Sequence, residues 1–139
     1  LGAGWGYLAA EILTRPKVEI LHLVEADHVA LACARVNITD PRARFHWDDA
    51  TSWSPPGRVD TVVMNPPFHA GRAADMSLGQ AFIAAAARML TPSGTLWMVA
   101  NRHLPYETAL RQAFGEGDEL AGDSRFKLFR AARPSRPAR

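Results

Sequence analysis

The sequence predicts an α/β fold, a mainly parallel sheet with helices on both faces. Three observations carry this. Apolar, β-branched stretches recur at residues 18–24, 59–64 and 95–100. Helical periodicity fills the intervals, most clearly at Leu78, Phe82, Ala85, Ala86 and Met89. Clusters of Gly and Pro separate the two kinds of segment. Strands that are apolar on both faces are the kind that parallel sheets bury beneath helices on either side.

The chain opens with Leu1 and runs directly into Gly2-Ala3-Gly4-Trp5-Gly6. A glycine-rich turn of this kind normally follows a strand. No residues for one precede it, so the first strand is expected to be missing and the chain to begin inside a longer protein. A short helix is expected over residues 7–14, closed by Pro16. Residues 18–24 read as a buried strand. Asp27 is placed to cap the next helix, which carries Val29, Leu31, Ala32 and Val36. Residues 43–47 form a short strand, residues 54–57 a loop, and residues 59–64 a second buried strand stopped by Pro66 and Pro67. A helix over residues 77–90 is ended by Thr91-Pro92-Ser93-Gly94, and residues 95–100 form a third apolar strand. Residues 107–114 are helical, with Leu110 and Phe114 four apart and Gly115 as the C-terminal cap. Residues 118–121 and 125–132 pair as a closing antiparallel hairpin. Residues 1–132 thus form one domain, and residues 133–139, rich in Pro and Arg, form a disordered basic tail.

Composition bounds the function. A length of 139 residues with 47% apolar content suits one domain around one core. No apolar run approaches the roughly 18–20 residues of a membrane span, and no secretory signal opens the chain. The one cysteine, Cys33, cannot pair within the chain, which fits a reducing cytoplasmic setting. It lies among Ala and Leu and is expected to pack as a small apolar residue. No Cys/His cluster has zinc spacing, and no metal is expected. The net charge of +2 is unevenly placed: six basic and no acidic residues lie between Arg125 and Arg139. A basic end on a mildly acidic body suits an anionic partner such as RNA, and equally a solvated terminus.

Ligands of open α/β sheets bind beyond the carboxyl ends of the strands, and four such ends carry unusual residues. Gly2, Gly4 and Gly6 allow positive φ and close approach of a ligand to the backbone. Their spacing is not the dinucleotide fingerprint, which needs a glycine where Tyr7 stands. A merely structural turn would also account for them. Glu25, nineteen residues after Gly6, can accept hydrogen bonds from both hydroxyls of a ribose. Asp48-Asp49-Ala50 follows the strand at residues 43–47. Asp49, chosen over Asp48, can accept from an adenine amino group, although both could be solvated turn residues.

The fourth end, Asn65-Pro66-Pro67-Phe68, is the most specific. Two prolines fix φ and remove both nitrogens as donors. The Asn65 side-chain oxygen and the Pro66 carbonyl can then face a planar NH₂ group as acceptors, and Phe68 can stack on the ring that bears it. Such an amine is a poor nucleophile because its lone pair is delocalised. Holding its hydrogens aims it at an electrophile, so catalysis would come from positioning and electrostatics.

The order of these features resembles the class I S-adenosylmethionine-dependent methyltransferases that act on amines. Asn65-Pro66-Pro67-Phe68-His69 with Gly71, then residues 99–106 (Val-Ala-Asn-Arg-His-Leu-Pro-Tyr) and 125–131 (Arg-Phe-Lys-Leu-Phe-Arg-Ala), is similar to the RsmC/RlmG family within the MTS group. That family methylates guanine N2 in ribosomal RNA. The resemblance implies a Rossmann-like sheet of order 3-2-1-4-5-7-6, closed by an antiparallel hairpin and here lacking its first strand. It implies that Gly2, Ala3, Gly4 and Gly6 pass close to the methionine part of S-adenosyl-L-methionine. Glu25 would bind its ribose, and Asp49 with Ala50 its adenine. Asn65, Pro66, Pro67 and Phe68 would hold the flipped-out guanine, with Asn65 also bordering the cofactor. The implied partner is ribosomal RNA of the small subunit (16S), in the cytoplasm, with no membrane and no metal.

Two other readings stand beside it. The same chemistry could serve adenine in DNA or a protein glutamine, although Phe68-His69 and residues 99–106 speak for rRNA. A non-catalytic module of the same fold is the other, against which the intact Asn65-Pro66-Pro67-Phe68 argues. Trp5 would pack over the ligand, Arg102 is a candidate for RNA phosphate, and Trp47, Trp53 and Trp97 read as core or rim.

Overall fold

The computed structural model of the chain describes residues 1–67 and 76–136. It divides into two compact units, Leu1–Trp53 and Ser54–Arg139. Among the described residues no helix is long and apolar enough to cross a membrane.

The first unit contains α1 (Tyr7–Leu13), β1 (Leu21–Glu25), α2 (His28–Asn37) and β2 (Ala43–Trp47). β1 and β2 pair in parallel, with Leu21 opposite Ala43 and Glu25 opposite Trp47. A strand over residues 18–24 is therefore corrected to Leu21–Glu25. The cause lies in the partner. β2 begins at Ala43, so residues 18–20 have nothing to pair with. The Arg42 guanidinium claims carbonyls there instead, donating to Arg15 O at 3.1 Å, to Val18 O at 2.9 Å and to Leu13 O.

Asp27 caps α2 as expected: its Oδ1 accepts from Val29 N at 2.9 Å and Ala30 N at 3.1 Å. Only some of the apolar residues of α2 are buried. Leu31, Ala34 and Ile38 lie at helical spacing and are buried, whereas Val29 and Val36 are 71% and 77% exposed. Cys33 lies on that outer side and is exposed rather than packed. Apolar residues stood on both sides of this helix, so periodicity alone did not select the inner one. Ala9, Leu13, Leu23, Ala34, Ile38 and Ala43 form the core of the unit.

The second unit contains β3 (Val59–Met64), α3 (Met76–Met89), β4 (Leu90–Asn101), α4 (Glu107–Ala113), β5 (Phe114–Gly122) and β6 (Phe126–Pro134). Its sheet has the order β3-β4-β6-β5. β3 and β4 are parallel; β6 is antiparallel to both β4 and β5. Counting β1 as the second strand of the expected sheet, β2-β1 reproduces its 3-2 run and β3-β4-β6-β5 its 4-5-7-6 run. Among the described residues no strand precedes α1.

Three boundaries shift. β4 starts at Leu90 and takes in the residues read as a helix stop, because pairing resumes across an irregularity from Val59–Leu90 to Thr61–Thr95. The turn signals act inside that irregularity. A Cβ on Gly94 would come within 2.8 Å of Leu90 Cδ2 and 3.0 Å of Thr91 O. α4 stops at Ala113, and Phe114 is extended at φ −137°, ψ 145° rather than helical. Gly115 pairs in β5 instead of capping the helix. β6 runs to Pro134, two residues beyond the expected domain end, because β5 supplies a partner in Phe114. Residues 137–139 of the tail lie outside the described residues.

Candidate active site

In the first unit, the glycine turn, Glu25 and Asp48-Asp49-Ala50 lie at one edge, beyond the carboxyl ends of β1 and β2. Parallel pairing does this, since Glu25 ends β1 directly opposite Trp47, which ends β2. Gly2, Gly4 and Gly6 have φ of 66°, 56° and 99°, a region that side chains other than glycine rarely adopt. Ala3 N donates to Val24 O at 3.0 Å and ties the turn to β1. Glu25 fastens it a second time, its Oε2 accepting from Gly4 N at 2.7 Å while Oε1 accepts from Asp27 N at 3.0 Å. Each carboxylate oxygen has two lone-pair sites, so both keep one for hydroxyl donors. No described atom comes within 4 Å of a Cβ built on Gly4, so that side of the turn is open.

Asp48 and Asp49 are distinguished by their bonds. Asp48 Oδ1 accepts from Asp49 N at 2.7 Å. Asp49 Oδ1 accepts from Thr51 Oγ1 at 2.7 Å and from Thr51 N at 2.8 Å. These two bonds, side chain first, hold the Asp49 carboxyl below the usual range. Its Oδ2 has no hydrogen bond among the described residues, and Asp49 is exposed. Ala50, the next residue, is buried. Trp5 is 56% exposed beside the turn, its ring 5.6 Å from that of Tyr7.

The sequence reading passed over a cavity of about 180 Å³ in this unit, lined by His28, Leu31, Ala32, Arg35 and Trp47. Trp47 is 64% exposed; its Nε1 donates to Ala26 O at 3.0 Å and its ring meets His28 edge-on at 4.8 Å. Such a wall needs residues from two elements, which spacing along the chain does not reveal.

In the second unit, Asn65-Pro66-Pro67 leaves the carboxyl end of β3. Asn65 and Pro67 are exposed and Pro66 is buried. The Asn65 amide has no hydrogen-bond partner among the described residues. Phe68, His69 and Gly71 lie outside the described residues. Met64 pairs with Met98, which sets this end of β3 beside the end of β4 and the stretch Arg102–Tyr106 that follows.

Arg102 is not free for phosphate. Its backbone N donates to Arg125 O at 2.8 Å, Nη1 meets Glu119 Oε1 at 3.1 Å, Nη2 reaches Phe126 O at 3.3 Å and Nε donates to Asp123 O. The carbonyls of the β5–β6 turn compete for the guanidinium and take it. Lys127 is buried, with Nζ 2.6 Å from Glu107 Oε1.

Comparison with known proteins adds a family. The methyltransferase small domain (MTS) family matches residues 1–130. Ribosomal RNA large subunit methyltransferase G of Streptomyces avermitilis is 36% identical over 137 residues, which are 96% of this chain and 36% of that protein. Ribosomal RNA small subunit methyltransferase C of Shewanella sp. (strain MR-4) is 32% identical over 130 residues, 92% of this chain and 38% of that protein. Among solved structures, the T. thermophilus 16S rRNA N2 guanine methyltransferase RsmC, in complex with AdoMet and guanosine, superposes with a TM-score of 0.75 at 29% identity, covering 96% of this chain and 36% of that one. An O-methyltransferase of Thermotoga maritima, 12% identical with a TM-score of 0.76, shares the fold. The chain spans just over a third of the length of the curated relatives it matches.

Proposed function

Because this chain belongs to the methyltransferase small domain family, we propose that it methylates the exocyclic N2 amine of a guanine in ribosomal RNA, with S-adenosyl-L-methionine as donor. The observation that carries this reading is the exposed amide of Asn65, without a hydrogen-bond partner among the described residues and followed by two prolines at the carboxyl end of β3.

The first unit fits the cofactor. The open side of Gly4 admits the methionine part along Gly2, Ala3, Gly4 and Gly6. Glu25 keeps acceptor sites for the ribose hydroxyls, and Asp49 Oδ2 with the adjoining Ala50 takes the adenine. When bound, the cofactor supplies a methyl group on a positively charged sulfur. The residues of this chain orient the amine. The Asn65 oxygen and the Pro66 carbonyl accept its two hydrogens and turn the nitrogen lone pair out of conjugation, while Pro67 holds the backbone extended and Phe68 stacks on the guanine ring. Restricting the amine to one approach supplies most of the acceleration. As the amine takes the methyl from sulfur it would release one of its two hydrogens as a proton to solvent, and no side chain needs to form a covalent bond.

Relatives carry both large-subunit and small-subunit names. The solved relative at 29% identity is named for 16S rRNA, which supports the small-subunit reading, and the work is then cytoplasmic. The test incubates the protein and labelled S-adenosylmethionine with small-subunit rRNA, assembled small subunits, large-subunit rRNA, DNA and a protein extract. Label recovered as N2-methylguanine in one RNA is the expected result. Label in large-subunit RNA alone overturns the small-subunit assignment. Label only in adenine or glutamine replaces the substrate. Cofactor binding without label anywhere favours a binding module.

A further inference from the structure

Residues 99–106 and 125–131, which carry much of the family resemblance, have no role in the cofactor and amine sites proposed above. We propose that Tyr106, locked in place by the Lys127–Glu107 ion pair, is a positioning residue that fixes the first turn of α3 for methyl transfer, an inference that rests on the proposed methylation of rRNA.

Tyr106 is 2% exposed. A Cβ built on Gly79 would lie 2.1 Å from Tyr106 Oη and 2.5 Å from its Cε1 and Cζ. The phenol therefore lies directly on the backbone of α3, at the fourth residue of that helix. Any side chain at position 79 would expel it. Tyr106 itself is held from both directions. Its N–H donates to Leu104 O at 3.0 Å, and its carbonyl accepts from Leu110 N at 3.0 Å and starts α4. The next residue, Glu107, receives Lys127 Nζ at 2.6 Å.

Lys127 is the one buried charged side chain among the described residues. It sits on β6 opposite Ala100 of β4, its ammonium 5.5 Å from the centre of the Phe129 ring. Burial pushes the Glu107 carboxyl up, but the Lys127 ammonium, a backbone bond and Arg111 together outweigh it and leave the group below its ordinary value. The ammonium is buried and the carboxylate partly exposed, and removing the carboxylate would strand the buried charge, which makes the pair a lock on position. The order of contacts is β6, Lys127, Glu107, Tyr106, Gly79. It ends on the helix that begins at Met76, nine residues after Pro67. Displacements of about 1 Å at a distance from the chemistry cost about a hundredfold in rate, so the seat of α3 matters to an amine held by two acceptors.

The test compares wild type with Gly79→Ala, Tyr106→Ala, Tyr106→Phe and the double variant Gly79→Ala/Tyr106→Ala. The readouts are kcat and KM for rRNA, S-adenosylmethionine affinity, and amide exchange over residues 76–83. Gly79→Ala and Tyr106→Ala are expected to lower kcat by about ten- to a hundredfold with cofactor affinity nearly unchanged. The conservative Tyr106→Phe should rescue kcat. The double variant should be no worse than Tyr106→Ala, since both remove one contact. Losses that multiply, or a kcat unmoved by Tyr106→Ala, would overturn the proposal. If Gly79→Ala does not fold, the contrast between Tyr106→Ala and Tyr106→Phe decides. If wild type labels no rRNA, the reading of function fails, and the positioning claim is decided by exchange alone. Faster exchange over residues 76–83 in Tyr106→Ala, with the first unit unchanged, supports it; unchanged exchange there refutes it.

Discussion

Glu25 accepts the Gly4 N–H at 2.7 Å. One carboxylate thus closes the glycine turn and, in the proposed mechanism, grips the cofactor ribose. Replacing Glu25 with Ala loosens the turn and removes the grip together. Hydrogen bonds to a charged group are worth about 1.5–3 kcal/mol, so S-adenosylmethionine affinity should fall by about ten- to a hundredfold. Glu25→Gln, which keeps one acceptor oxygen, should fall between. Calorimetric titration checks this, and equal affinities in all three proteins would remove Glu25 from the site.

Arg42 and Asp40 form a bidentate pair, with Nη2 to Oδ2 at 2.7 Å and Nε to Oδ1 at 3.0 Å. Side-chain and backbone bonds from Arg42 hold the Asp40 carboxyl at about 2, below an ordinary value of 3.8. A carboxyl depressed by folding contributes stability that is fully present above its unfolded value and is lost as pH falls through its folded one. The difference in melting temperature between wild type and Asp40→Asn should therefore be constant above about pH 5 and vanish towards pH 2. A difference that persists in strong acid would assign the effect to packing.

His22 Nδ1 and His46 Nε2 are 2.9 Å apart, and both rings lie against Trp53. One must donate to the other, which two protonated rings cannot do. Burial is the main cause lowering both pKa values from 6.5, with His46 and Arg44 adding to it for His22. For His46, Arg35 adds and Asp48 opposes. A lowered histidine gives stability that is present above the unfolded value and declines as pH drops through the folded one. Melting temperature should fall as pH drops below 6.5, and both imidazoles should titrate below that value by NMR. Titration at or above it would contradict the pairing.

Asp27 satisfies two N–H groups at the start of α2. Asp27→Ala should cost about 1 kcal/mol of stability, read by urea denaturation with an unchanged m-value. A loss below a few tenths would mean that water replaces the cap.

Much of this was legible in the sequence where local chemistry decides. Asp27 caps α2, β2 and β3 run from Ala43 to Trp47 and from Val59 to Met64, and the strand orders follow. What was misread depends on partners distant in sequence. The start of β1 is set by Ala43, the extension of β5 and β6 by their mutual pairing, and the use of Arg102 by the carbonyls of Asp123 and Phe126. In the site, the residue types were visible at the strand ends. The Glu25–Gly4 bond and the Asp49–Thr51 bonds were not, because both depend on backbone directions that composition does not encode.

The most direct measurement is methyl transfer to rRNA by Asn65→Ala beside wild type, with S-adenosylmethionine affinity measured on both. If Asn65 orients the amine, transfer should fall by at least about a hundredfold, far more than any loss of cofactor affinity. Transfer close to wild type, with N2-methylguanine still the product, would contradict the proposed mechanism.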